Sequence, residues 1–194
     1  VSKKKLLTTK TVVTLGLLIA LSIILTRFLA IMPTPNIRIS FGSLPIIIAG
    51  LLFGPIAGGL AGLAADFLGT TLFSSYGWFP PLALTPVIMG VVPPLIGMLL
   101  KKRTNLPTFI AMILPAEILG PMVWTTLSLQ WLNHVPFLVN LPLRLPVSAG
   151  IAVVDILMIF LLYKSGVFRT FDSTLSRLSG GKNNGLRGDA EIHS

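Results

Sequence analysis

An apolar stretch runs from Val12 to Met32 with one charge, Arg27, inside it, and further apolar runs follow as far as Tyr163. About 20 such residues are enough to cross the hydrocarbon core of a bilayer as a helix. The stretch is longer than the apolar core of a secretory signal peptide, so it is expected to persist as a first helix. Lipid offers no partners to backbone N–H and C=O groups, and repeated apolar runs therefore point to a bundle of transmembrane helices. Composition agrees: 53% of the residues are hydrophobic and 11% are charged, against about 25% charged in soluble domains.

Proline and glycine punctuate the runs. The reading is an all-α integral membrane protein with six transmembrane helices in a compact bundle. The first helix spans Thr9 to Ile31, ahead of a Pro- and Asn-rich loop, Pro33–Ser40. The second, Phe41 to Phe53, and third, Ile56 to Leu72, form a tight hairpin about Gly54-Pro55. A loop, Phe73–Phe79, leads to the fourth helix, Pro81 to Leu100, where Pro93-Pro94 predicts a kink. The fifth runs from Leu106 to Trp131 with Pro115 and Pro121 inside it. A loop, Leu132–Pro142, precedes the sixth, Leu143 to Tyr163. Residues 1–164 form the membrane domain, and 165–194 a polar tail expected to be partly disordered. Gly54, Gly58 and Gly62, beside Ala61 and Ala65, form a small-residue stripe suited to close helix packing or to docking another membrane subunit.

The net charge of +9 suggests nucleic acid, but the basic residues lie between apolar runs and at the ends rather than along one stripe, so no nucleic-acid partner is expected. Cysteine is absent and the two histidines, His134 and His193, are far apart; no metal site and no cofactor are expected. No GxxxxGK[ST] run is present, so any energy input has to come from a partner. The Ser and Thr residues have no helical histidine to activate them, which argues against an enzyme.

Six helices put both termini on one side, together with the turns after the second and fourth helices. That side collects Lys3, Lys4, Lys5, Lys10, Lys101, Lys102, Arg103, Lys164, Arg169, Arg177, Lys182 and Arg187, which is 12 of the 15 basic residues. The bias makes this side cytoplasmic, in a membrane crossed several times. The exceptions, Arg27, Arg38 and Arg144, all belong to the outer half.

Charges there need a reason. Snorkelling to headgroups is one. The other is an inward-facing role, since the planar guanidinium suits carboxylates. Asp66 lies roughly level with Arg27, as an internal ion-pair partner or as an acceptor for ligand N–H groups. Glu117 and Asp155 fall near the middle of their helices, either protonated or bonded to Ser, Thr or backbone groups; a proton relay would need further partners. Aromatic side chains flank the same outer loops: Phe28 and Phe41, Phe73, Tyr76, Trp78 and Phe79, Trp131 and Phe137. They form an interfacial belt or faces for a flat heteroaromatic ligand. The candidate substrate-binding set is Arg27, Phe28, Arg38, Phe41, Asp66, Phe73, Tyr76, Trp78, Trp131, Asn140 and Arg144, arranged for a small anionic molecule.

The runs Ile24–Leu29, Arg38–Ile46, Leu52-Phe53-Gly54-Pro55 and Gly62–Gly69 resemble the S components of energy-coupling factor (ECF) transporters, and among these the folate-type S components. The resemblance covers Thr11 to Tyr163. It implies a six-helix subunit without ATPase activity that captures a vitamin from outside. It also implies assembly with a transmembrane coupling subunit and two ATPase subunits. Small residues on the first helix contact the coupling subunit in such proteins; the matching pair here is Gly16 and Ala20. The gating loops would be Pro33–Ser40, Phe73–Phe79 and Leu132–Pro142. Folate, with a pterin for Asp66 and carboxylates for arginine, is the expected ligand. Pantothenate, hydroxymethylpyrimidine or a self-contained secondary transporter are the alternatives.

Overall fold

The structure, a computed structural model, describes residues 9–34, 37–73, 78–100, 106–133 and 136–166. Helix α1 (Thr9–Arg27) leads into a two-stranded hairpin, β1 (Ile31–Thr34) and β2 (Ile37–Ile39). Helices α2 (Ser43–Phe53), α3 (Pro55–Phe73) and α4 (Pro80–Leu99) follow. Then come α5 (Leu106–Glu117), a π-helical stretch (Ile118–Trp124), α6 (Thr125–Asn133) and α7 (Phe137–Lys164). Among the described residues, four stretches are long and apolar enough to cross a membrane: Pro55–Phe73, Pro80–Leu99, Leu106–Leu132 and Arg144–Lys164. Thr11–Arg27 and Ser43–Phe53 are shorter apolar helices.

Two expected boundaries move. The first helix ends at Arg27, not Ile31, and the segment read as a loop contains the hairpin, with Ile31 opposite Ile39 and Thr34 opposite Ile37. Pro33 biases the residue before it toward extended backbone. The β-branched Ile31, Thr34, Ile37 and Ile39 then favour a strand pair. The last helix starts at Phe137, so Phe137, Asn140 and Pro142 lie in its first turns and not in a loop. Arg144 accordingly sits two turns inside the helix instead of at its start. Prolines 142 and 146 are accommodated within it, as membrane helices tolerate proline when neighbouring groups satisfy the freed carbonyl.

The expected fifth helix is continuous but changes register. Pro121 has no N–H for the Glu117 carbonyl. The backbone widens to i→i+5 pairing over Ile118–Trp124, and the N–H of Thr125 donates to the Gly120 carbonyl as it leaves this stretch. The hydroxyls of Thr126 and Ser128 bond back to the Met122 and Trp124 carbonyls. Trp124 Nε1 reaches across to the Pro81 carbonyl at 2.7 Å and holds this region against the start of α4.

The distribution of side chains is that of a protein in lipid. Large apolar residues such as Leu17, Ile56, Leu72 and Leu99 face outward. The interior is lined by Ile47, Ala49, Ala57, Met89, Ile113 and Ile159, with polar Ser22, Thr126 and Asp155 among them. Packing between apolar helices in lipid relies on close backbone approach, and α2, α3 and α4 show how it is reached. Pro94 lacks the N–H that the Gly90 carbonyl would use, so that oxygen is free. It lies against Gly50 of α2 and Gly58 of α3, where any Cβ would overlap it. Cα–H···O contacts of this kind recur at tight helix crossings. Gly62 meets the Pro86 carbonyl in the same way. Gly58 and Gly62 therefore serve internal packing. Gly54 departs from the stripe: with φ +97° it makes the turn from α2 into α3.

At the hairpin end, Ser22 Oγ donates to the Gly42 carbonyl at 2.7 Å and fixes the start of α2 on α1. Residues Val1–Phe160 form one compact unit and Leu161–Ser194 a second. In the second, the described residues close the last helical turn through Ser165 and Gly166, whose N–H groups donate to the Leu161 and Tyr163 carbonyls.

Candidate functional site

Arg27 is the last residue of α1, and its guanidinium turns onto α3. Nη2 donates to Thr70 Oγ1 at 2.6 Å. Gly69 leaves the necessary room: a Cβ there would stand 3.3 Å from Arg27 Nε. Asp66, one turn earlier on α3, is close enough to act on Arg27 electrostatically. Asp66 also accepts a hydrogen bond of 3.2 Å from Trp78 Nε1, and the Trp78 ring packs edge-on against Phe67, with centroids 5.3 Å apart. A cation, a carboxylate and an indole are thus joined at one end of α1 and α3. Asp66, Gly69 and Thr70 share a helix face because they are three and four residues apart. That spacing was the available signal for Gly69 and Thr70, which the sequence reading did not single out.

The aromatic candidates divide. Phe28 and Phe73 stack edge to face with centroids 5.4 Å apart and stay more than half exposed, at 67% and 52%. Phe41 is half-buried at the entry to α2. Trp131 packs edge-on against Trp124 on the π/α6 segment and is 53% exposed, so its ring contact lies with that segment and not with Asp66. Arg38 lies in β2 and Asn140 in α7. Tyr76 lies outside the described residues, as do residues 3–5 and 101–103 of the basic clusters.

Arg144 is largely withdrawn from the surface, and its Nη1 is buried without a hydrogen-bond partner. A desolvated donor left unmade costs about 1–3 kcal/mol, and more when charged. A second buried polar group lies on α5 and α7. Glu117 and Asp155 adjoin there, 3% and 0% exposed. Asp155 Oδ2 accepts from Ser43 Oγ at 2.6 Å. Ser43 is the first residue of α2 and falls within the family-like run Arg38–Ile46.

An apolar helical assembly holding a few isolated ionisable groups defines a multi-pass integral membrane protein. Residues 6–164 match the family described as "ECF-type riboflavin transporter, S component", and the chain belongs to that family. The folate transporter FolT of Clostridium novyi (strain NT) is 38% identical over 78 residues, a stretch covering 40% of this chain and 45% of that relative, so the match spans under half the relative's length. The structure described as "Crystal structure of FolT bound with folic acid" is similar over 85% of this chain and 94% of the other, at 25% identity and a TM-score of 0.63. A bacterial ECF transporter S component matches at 22% identity and a TM-score of 0.42 over 88% of this chain and 96% of its own.

Proposed function

We propose that this chain is the substrate-capturing subunit of an ECF importer and that its ligand is folate. Membership of the S-component family supports the first part, and likeness to FolT supports the second. The observation that carries the choice of ligand is the buried, unpartnered Nη1 of Arg144. It calls for an anionic group, and folate brings the two carboxylates of its glutamate. Asp66, with Trp78 already at its carboxylate, is the acceptor for pterin N–H groups, and Arg27 holds Asp66 in place. Arg38, Phe41, Tyr76 and Asn140 complete the proposed set with the Phe28–Phe73 pair, while Trp131 serves at its margin.

The family's description gives a second reading, riboflavin. Riboflavin is a flat heterocycle but carries no carboxylate, so it leaves a buried guanidinium without a matching anion. The two readings separate in the ultraviolet–visible spectrum of protein purified without added vitamin. Pterin absorbance is expected. A flavin spectrum, or calorimetry in which riboflavin binds and folate does not, would discard folate.

The proposed topology has six membrane segments, with both termini cytoplasmic. The proposed partners are a transmembrane coupling subunit and two ATPase subunits. Gly16 and Ala20 are the proposed docking pair on α1: both are exposed, and Gly16 has open space where a Cβ would stand. The proposed activity is binding and delivery without catalysis.

Arg27→Ala and Asp66→Ala are each expected to weaken folate binding by about 2–5 kcal/mol, the usual loss when one member of a desolvated charged contact is removed. Unchanged calorimetric affinity in both variants would take these residues out of the site.

A further inference from the structure

The Glu117–Asp155 contact uses none of the proposed folate-binding residues and poses a problem of charge. Ionised carboxylates only accept hydrogen bonds. Glu117 Oε1, Glu117 Oε2 and Asp155 Oδ1 are all buried with no donor, and Ser43 alone serves Asp155 Oδ2. The facing groups are Glu117 from α5, Asp155 from α7 and the uncharged Ser43 from α2. Among the described residues no basic side chain pairs with either acid. Two adjacent buried negative charges without a counter-ion are not sustainable.

We propose that Glu117 and Asp155 bind one proton between them, carried on Glu117 and donated to Asp155, so that two successive hydrogen bonds join α5, α7 and the first residue of α2. The assignment within the pair follows from the surroundings. Asp155 receives the Ser43 hydroxyl and faces the N-terminus of the 11-residue helix α2, whose dipole favours an anion. Glu117 receives nothing, stands at the residue where α5 turns π-helical, and is left as the acid. The chain Glu117–Asp155–Ser43 ends one residue after Gly42, which Ser22 ties to α1. The bound proton therefore fixes the place where the outer hairpin enters the core.

The test is infrared spectroscopy of the full-length protein in lipid nanodiscs at neutral pH. A protonated carboxylic acid band that shifts in deuterium oxide is expected, lost in Glu117→Gln and kept in Ser43→Ala. Glutamine also donates an N–H to Asp155, so Glu117→Gln should melt near the parent, whereas Glu117→Ala should melt several degrees lower. No band in the parent, or a band that survives Glu117→Gln, would overturn the proposal. So would a melting temperature that rises when sodium replaces choline in the buffer, because that result puts a metal cation between the carboxylates.

Discussion

Gly58→Ala and Gly90→Ala are each expected to destabilise the subunit by more than about 3 kcal/mol, and in cells to abolish its accumulation. Overpacking a core with one methyl group commonly costs about 1–3 kcal/mol, because side chains can shift to make room. Here the obstruction is backbone. A Cβ on Gly58 would overlap the Gly90 carbonyl oxygen and stand 2.6 Å from the Gly50 Cα. A Cβ on Gly90 would overlap the Gly58 carbonyl. Neither atom can rotate away, so α3 and α4 have to separate along their crossing. The Gly90 carbonyl, already without its helical partner because residue 94 is proline, would lose its remaining contacts in a medium that supplies none. Gly16→Ala is the control. Nothing lies within 4 Å of a Cβ at Gly16, and exchange of an exposed helical glycine for alanine usually gains up to about 1 kcal/mol. Thermal unfolding in detergent compares the three variants; if all three melted alike, the close crossing of α2, α3 and α4 would be wrong.

The second large effect concerns Arg144. Arg144→Met keeps much of the side-chain volume and removes the charge. Folate affinity is expected to fall by about 2–5 kcal/mol, roughly 30-fold to several thousand-fold. The ligand-free variant is expected to be as stable as the parent or more so. The parent carries a buried guanidinium nitrogen with no partner, and replacing such a group by an apolar one of similar size is often stabilising. Arg144→Lys is expected to recover only part of the affinity, because an ammonium does not reproduce the planar, two-pronged donation of arginine to a carboxylate. A loss of ligand-free stability with unaltered affinity would make Arg144 a structural residue and remove the anionic subsite.

The two expectations differ in what the sequence disclosed about them. Arg144 stands out because an arginine inside an apolar run is costly wherever it points. Its missing hydrogen bond, however, depends on what the other helices place around it. The glycines of α3 were legible as a stripe, yet the stripe did not distinguish Gly54, which makes a turn with positive φ, from Gly58, which lies under a carbonyl. Arg27 and Asp66 were drawn together as level with each other. Gly69 and Thr70, which seat the guanidinium, were not singled out, because small residues in a membrane helix have several uses.

The chain's membrane character was determined by sequence alone, since the length and polarity of an apolar run are local quantities and lipid imposes one backbone solution on them. The family was likewise legible from short runs near α1, α2 and α3. Tertiary structure decided the rest. Glu117 and Asp155 lie on different helices with no sequence signal linking them, yet the packing of α5 on α7 sets them side by side and brings Ser43 to the second. The hairpin after α1 replaced an expected loop because paired extended backbone satisfies its polar groups where an irregular loop would not. Helical periodicity tells which residues share a face; what that face meets is settled only when the helices pack.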